Sequence, residues 1–285
     1  MANLQHSFWE VKSVQVFIWL TLSGPYPVDK IDQFIAYMTA FNCAQSTIRT
    51  YISGLSFWYK VQGREEVTIV FIVTKLFEGG KRGAGNQENR VPITLNILTK
   101  LVQALDKICV SSYEISLFRA AFCLAFFGFL RVGEFASKSL TSCDSRPLQF
   151  NDVDIIGVDG CRQVKLTIRQ SKTDQLGKSV TLLLSDTASP VCPVNALSNF
   201  LRVRNPLQDS QLLIHFNGNP RTRYQFSTIS TILAKSLRFY NGRFRSHSFR
   251  IGAATEAAMR GFPDDVIKQW GRWKSGAYAS YIRFA

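Results

Sequence analysis

Residues Tyr113–Leu130 constrain this chain more than any other stretch, because they contain its longest apolar run, Ala120–Leu130. The run falls well short of the ~20 residues that a membrane-spanning helix needs. It therefore reads as the C-terminal part of a helix that is apolar nearly all round, which belongs at the centre of a domain. Other elements must cover that helix on every side. The residue that follows it, Arg131, is tethered to a buried element and cannot wander.

The surrounding sequence divides in two. Residues 8–77 read as four helical segments, Phe8–Ser23, Val28–Phe41, Thr47–Val61 and Val67–Phe77, separated by the turn signals Gly24-Pro25-Tyr26-Pro27, Asn42 and Gln62-Gly63. Ile31, Phe34, Ile35 and Met38 recur at helical spacing, as do Ile48, Tyr51, Leu55 and Trp58, so each segment offers one apolar face to a small core. The run Val14–Leu22 is interrupted by polar residues and flanked by Lys12 alone, which favours a buried helix over a signal-peptide core. Residues Glu78–Asn86 are rich in glycine and basic side chains and lack any apolar period, as expected of an exposed linker.

The expected division is a helical domain over 1–80, a linker over 81–91 and a larger domain over 92–285. In the latter, Pro92–Ile108 and Tyr113–Leu130 read as helices. Alternation in Asp152–Ile156, Gln163–Gln170 and Val180–Leu184 predicts a small antiparallel sheet. Helices resume at Pro193–Arg202, at Ser227–Phe239 and from Ser246, with stops at Gly261 and Gly271. The fold class is mainly α with a small antiparallel sheet, an α+β arrangement in the second domain.

Charge narrows the function. The formal net charge is +14 and the pI about 9.7. Residues 201–285 hold fourteen Lys and Arg against four Asp and Glu, so most of the excess sits in the last third. A surplus of cations self-repels in the compact state and calls for an anionic partner, nucleic acid first and acidic membrane second. Six scattered cysteines have no Cys-x-x-Cys pair and no histidine at ligand spacing, which argues against zinc and for reduced thiols in an intracellular protein.

Four short segments carry chemistry. Arg131 is followed three residues later by Glu134, close enough on a helical turn to orient the guanidinium. Lys172 lies in Gln170-Ser171-Lys172-Thr173-Asp174, between two predicted strands, where an ammonium can project beyond the sheet edge. His247 and Arg250 stand at i, i+3 on a helix starting near Ser246, so a directed donor and a planar fork could grip two oxygens of one phosphate. The run Gly271-Arg272-Trp273-Lys274-Ser275-Gly276-Ala277-Tyr278-Ala279-Ser280-Tyr281 places two tyrosines one turn apart. A phenol with an ordinary pKa near 10 is a poor nucleophile, but clustered cations would stabilise its phenolate and a pentavalent phosphorus transition state together. Each segment alone is commonplace; an Arg-Glu pair is usually a surface ion pair and a lone tyrosine usually packs its ring.

In order, the segments resemble the tyrosine recombinase (phage integrase) family. The phrases Phe-Gly-Phe-Leu-Arg-Val-Gly-Glu, Ser-Lys-Thr-Asp and His-Ser-Phe-Arg-Ile-Gly-Ala-Ala-Thr are most similar to recombinases of DIRS and Crypton mobile elements. Residues 8–85, including Gln45–Tyr51, look like the family's helical core-binding domain.

The resemblance implies that Arg131 and Arg250 hold the non-bridging oxygens of the scissile phosphate, with His247 as hydrogen-bond donor or general base. It further implies that Lys172 protonates the leaving 5′ hydroxyl and that Tyr281 forms a 3′-phosphotyrosyl link, with Glu134 in support. Neither cofactor, metal nor ATP is then needed. The family has a His or Trp shortly before the nucleophile; counting back from Tyr281 reaches Arg272, and Trp273 beside it takes the role here. The implied partner is double-stranded DNA, the implied assembly a homotetramer on that DNA, and the location the nucleus if the source is eukaryotic. Two other readings are a catalytically silent DNA-binding protein left by a mobile element and a type IB topoisomerase-like enzyme.

Overall fold

The computed structural model describes residues 28–65, 67–69, 71, 73–76, 79, 91–140, 147–158, 161–170, 178–204, 211–238 and 244–283. The expected helix Phe8–Ser23, most of the linker and Lys172 lie outside them. The chain divides into two compact units, Met1–Glu88 and Asn89–Ala285.

In the first unit, helices α1 (Val28–Ala40) and α2 (Gln45–Val61) pack together with a short 3-10 turn at Val67–Ile69. Ile31, Phe34, Ile35 and Met38 of α1 meet Ile48, Ile52 and Leu55 of α2 around Val73, so the face expected on α1 forms this core. On α2 the buried stripe is Ile48, Ile52, Leu55 and Tyr59, which keeps Ile48 and Leu55 of the expected face and leaves Tyr51 and Trp58 half-buried beside it. No described helix is long and apolar enough to cross a membrane.

The second unit is built around α4 (Ser112–Phe127), preceded by α3 (Leu95–Gln103) and followed by the single turn α5 (Val132–Phe135). Ser111 caps α4, its hydroxyl accepting from Glu114 N at 3.2 Å. Residues Ala120–Phe126 are all buried. The helix ends at Gly128, where Leu130 N donates back to Ala125 O at 3.1 Å and Phe129 takes a left-handed backbone, φ 48°. The single helix expected over 92–108 stops at Gln103 and closes as a 3-10 turn, Leu105–Lys107.

Strands β1 (Val153–Val158), β2 (Cys161–Ile168) and β3 (Val180–Ser185) form one antiparallel sheet in the order β1-β2-β3. Val164, Leu166, Ile168 and Leu184 are its buried residues, and α6 (Pro193–Val203) packs on β2 and β3 while also lying along α4. Helix α7 (Arg223–Ser236) begins about one turn before the expected Ser227, because Thr222 and Gln225 form a capping box that satisfies the first donors. Helices α8 (Ser246–Met259) and α9 (Asp264–Gly271) complete the unit with a 3-10 turn at Gly276–Tyr281.

Four phenylalanines tie these helices together. Phe122 of α4 lies 5.4 Å from Phe226 of α7 and 5.1 Å from Phe249 of α8, and Phe135 of α5 lies 4.9 Å from Phe226. Such pairs contribute about 0.5–1.5 kcal/mol each beyond the area they bury. Their consequence is positional: α5, which follows Arg131, and α8, which carries His247 and Arg250, are pinned to the same buried helix.

Candidate active site

Arg131 is the residue before α5, and its own carboxylate partner fixes it there. Glu134, 4% exposed, accepts from the Arg131 backbone N at 2.8 Å and from Arg131 Nη1 at 3.1 Å. The same carboxylate accepts from Arg272 Nη2 at 2.7 Å. Glu134 therefore closes the turn and joins two guanidiniums, which explains its burial: a carboxylate leaves water only when its oxygens are paired. Arg131 keeps 19% of its side chain exposed, against 6% for Arg272.

Helix α8 brings His247 and Arg250. Ile93 N donates to Ser248 O at 3.0 Å, and the first turns of α8 press so closely on this segment that a Cβ on Gly252 would stand 1.8 Å from Ile93 O. Only glycine allows that approach. Arg250 is wholly buried; Nη1 donates to Phe129 O and Nη2 to Gly271 O. Its guanidinium carbon lies 4.1 Å from the centre of the Trp273 ring and 5.5 Å from that of Tyr281.

The C-terminal turn is shaped by Gly271-Arg272-Trp273. A Cβ on Gly271 would sit 1.6 Å from the Trp273 ring, so glycine lets the indole fold back over the end of α9. Arg272 turns the chain in a left-handed conformation, φ 57°. Its guanidinium runs back to Gly128 O at 3.1 Å, Phe129 O at 3.3 Å and Glu134. Trp273 then packs 4.9 Å from Tyr281, and His247 stands 4.8 Å from the same phenol ring. The turn is held down by Thr255 of α8, which donates to Tyr281 O at 3.3 Å and accepts from Arg283 N at 3.0 Å.

The two tyrosines of this turn are not equivalent. Tyr278 is buried, its hydroxyl donates to Asp264, and Lys268 Nζ lies 4.6 Å over its ring. The hydrogen bond to Asp264, with burial and the nearby negative charge, raises the Tyr278 pKa and keeps it a neutral phenol. Tyr281 instead lies against Arg250 and the tilted rings of His247 and Trp273.

Within the cluster, the Glu134 carboxylate pairs with two guanidiniums, Arg131 and Arg272, and the third, Arg250, donates to backbone carbonyls. Burial, then repulsion from Arg131 and Arg272, pushes the Arg250 guanidinium down to about 9. Burial likewise lowers Arg272, against the opposing pull of Glu134. The Nε atoms of Arg250 and Arg272 have no hydrogen-bond partner. A buried site with two uncompensated positive charges is matched chemically by an anion with several acceptor oxygens, and a phosphodiester has that character.

The structure thus brings together Arg131, Glu134, His247, Arg250, Trp273 and Tyr281, from three separate stretches of chain. It adds Arg272, which the sequence offers only as a neighbour of Trp273, and the carbonyl of Phe129, which no side-chain pattern can announce. Among the described residues no group of His, Cys, Asp and Glu is placed to hold a metal ion, and five cysteines are unpaired.

No protein-family model and no curated protein matches this sequence. Solved structures do match in fold. The Tn1549 transposon integrase in complex with circular intermediate DNA is 14% identical, with a TM-score of 0.61 over 99% of this chain and 90% of that one. A lambda integrase dimer bound to a COC′ core site is 17% identical, with a TM-score of 0.61 over 98% of this chain and 89% of that one. XerH site-specific recombinase bound to palindromic difH substrate is 15% identical, with a TM-score of 0.58 over 90% and 66%. The chain has the fold of these integrases and recombinases, helical with one small antiparallel sheet.

Proposed function

We propose that this chain is a tyrosine recombinase that cleaves and rejoins double-stranded DNA through a 3′-phosphotyrosyl intermediate. The observation that carries the reading is the meeting of Tyr281 with His247, Trp273 and Arg250 beside the Arg131–Glu134 turn. Tyr281 Oη forms a bond to phosphorus as the bond to the 5′ oxygen breaks. The phenol proton passes to His247 or solvent, and the departing 5′ oxygen takes a proton from Lys172. Because one phosphoester replaces another, the reaction consumes no ATP, and the guanidiniums supply the charge a metal otherwise would.

Arg131, the more exposed guanidinium, meets the phosphate first. Arg250 lies beneath the Trp273 and Tyr281 rings, so its engagement requires those rings to move off its face. A six-residue 3-10 turn is weakly hydrogen-bonded and suited to such a shift. The first unit and the basic last third hold the flanking duplex, with affinity that falls steeply with salt as condensed counterions are released. Four copies assemble on two duplexes. The phrases around Arg131, Lys172 and His247 support a source element of the DIRS or Crypton kind.

A second reading has one observation in its favour: Arg250 has no exposed surface and both its Nη atoms already serve carbonyls. A protein that binds DNA without cutting it would tolerate that arrangement. The two are separated with a pool of random-sequence duplexes carrying 5′-bridging phosphorothiolate linkages, whose sulfur departs without an acid and does not readily re-attack. Denaturant-resistant adducts with wild type and none with Tyr281→Phe support the recombinase. Retention of DNA with no adduct from either protein supports the silent binder.

A further inference from the structure

We infer that Arg272 is a positioning residue that fixes Arg131 and Arg250 relative to each other, so that both guanidiniums address one phosphate. The inference rests on the recombinase reading and assigns to Arg272 a task that the flanking Trp273 does not perform.

The geometry is one of shared acceptors. Glu134 Oε2 takes the Arg131 backbone N at 2.8 Å and Arg272 Nη2 at 2.7 Å. Phe129 O takes Arg250 Nη1 and Arg272 Nη2, the latter at 3.3 Å. Arg272 therefore touches the anchor of each of the other two guanidiniums, and its Nη1 adds Gly128 O at 3.1 Å. Trp273 lies on the opposite side, against the faces of Arg250 and Tyr281. Arg272 keeps 6% of its side chain exposed, against 19% for Arg131.

The backbone supports the same assignment. Arg272 and Phe129 both hold left-handed conformations, φ 57° and 48°, which non-glycine residues adopt at a cost of about 1 kcal/mol or more. Such conformations persist where surrounding contacts over-determine them, and here the two residues are bonded to one another. A planar fork reaching three acceptors on two elements, α4's end and α5, is what guanidinium chemistry provides and a lysine ammonium does not.

Positioning predicts a defect that depends on the charge of the phosphate. The cleaved linkage is first mapped with wild type on the phosphorothiolate pool. Arg272→Lys is then compared with wild type on two duplexes of that sequence, one with an ordinary phosphodiester and one with a neutral methylphosphonate at the mapped linkage. The neutral linkage places less negative charge in the transition state and so asks less of the paired guanidiniums. Adduct formation by Arg272→Lys is expected to fall about 100-fold on the phosphodiester, as a misplacement near 1 Å does, and about threefold or less on the methylphosphonate. Glu134→Gln, which keeps the shape of the shared acceptor, is expected to show the same selectivity. The double variant is expected to be little worse than the worse single one, since both act through one contact.

An equal loss on both duplexes in both variants makes Arg272 a bolt for the fold only and overturns the inference, as does a wild-type rate on the phosphodiester. Failure of wild type to form any adduct overturns the recombinase reading itself and the inference with it.

Discussion

Tyr278 and Tyr281 stand on one six-residue turn, three positions apart, yet they occupy opposite electrostatic surroundings. Tyr278 donates a hydrogen bond to the Asp264 carboxylate, which favours the neutral phenol. Tyr281 lies among His247, Trp273 and Arg250, in a cluster whose positive charges outnumber its single carboxylate. The difference teaches that two tyrosines of one turn are told apart by the groups around each ring and hydroxyl, not by residue type.

The comparison breaks most sharply if the wrong tyrosine reacts. Tyr281→Phe is expected to reduce adduct formation about 10⁴-fold or more, whereas Tyr278→Phe keeps it. An adduct that survives Tyr281→Phe and vanishes in Tyr278→Phe would reverse the assignment.

A smaller effect comes from the glycine beneath Trp273. Gly271→Ala drives a methyl into the Trp273 ring, and overpacking of this kind costs about 1–3 kcal/mol. Denaturant melts should show that loss, together with slower adduct formation as the indole leaves Arg250. Unchanged stability and rate would mean that Trp273 is not held as described.

Tyr278→Phe deletes a hydrogen bond to a solvent-exposed carboxylate, so a modestly lowered Tm with activity retained is expected. A loss confined to activity would place Tyr278 in the chemistry after all.

The smallest effect sharpens the charge argument. Arg250 binds its proton more weakly when folded, its pKa falling from 12.5 to about 9. The unfolded chain therefore carries more protons above about pH 8, and this contribution makes stability rise with pH there. The Tm of wild type should gain on that of Arg250→Met from about pH 8 to about pH 10. A constant difference would show that the folded protein holds this proton as tightly as the unfolded chain.

Much of the scaffold is legible in the sequence. The apolar run at Ala120–Leu130 gives α4, alternation gives the three strands, and helical spacing gives α1 and α2. These are local patterns, with periods of 3.6 or 2 residues, and burial follows from them directly. The errors are at ends. The start of α7 depends on Thr222 and Gln225 capping each other, and α3 gives way after Gln103 to a 3-10 turn whose Leu105 stays buried. Arg131 and Glu134 are also readable as a pair because three residues on one turn separate them.

The sequence alone determines which segments are helix or strand, where the positive charge accumulates, and that Arg131, His247, Arg250 and Tyr281 recur in a meaningful order. Tertiary structure alone decides that Tyr278 meets the Asp264 carboxylate while Tyr281 meets Arg250, that Glu134 serves two arginines, and that Arg272 shares acceptors with Arg131 and Arg250. The reason is reach. Glu134 and Arg272 are 138 positions apart and Phe129 and Arg250 are 121 apart. Bonds across such separations arise only when the phenylalanine core has packed α4, α5, α7 and α8 together, and no local pattern encodes which side chains that packing brings face to face.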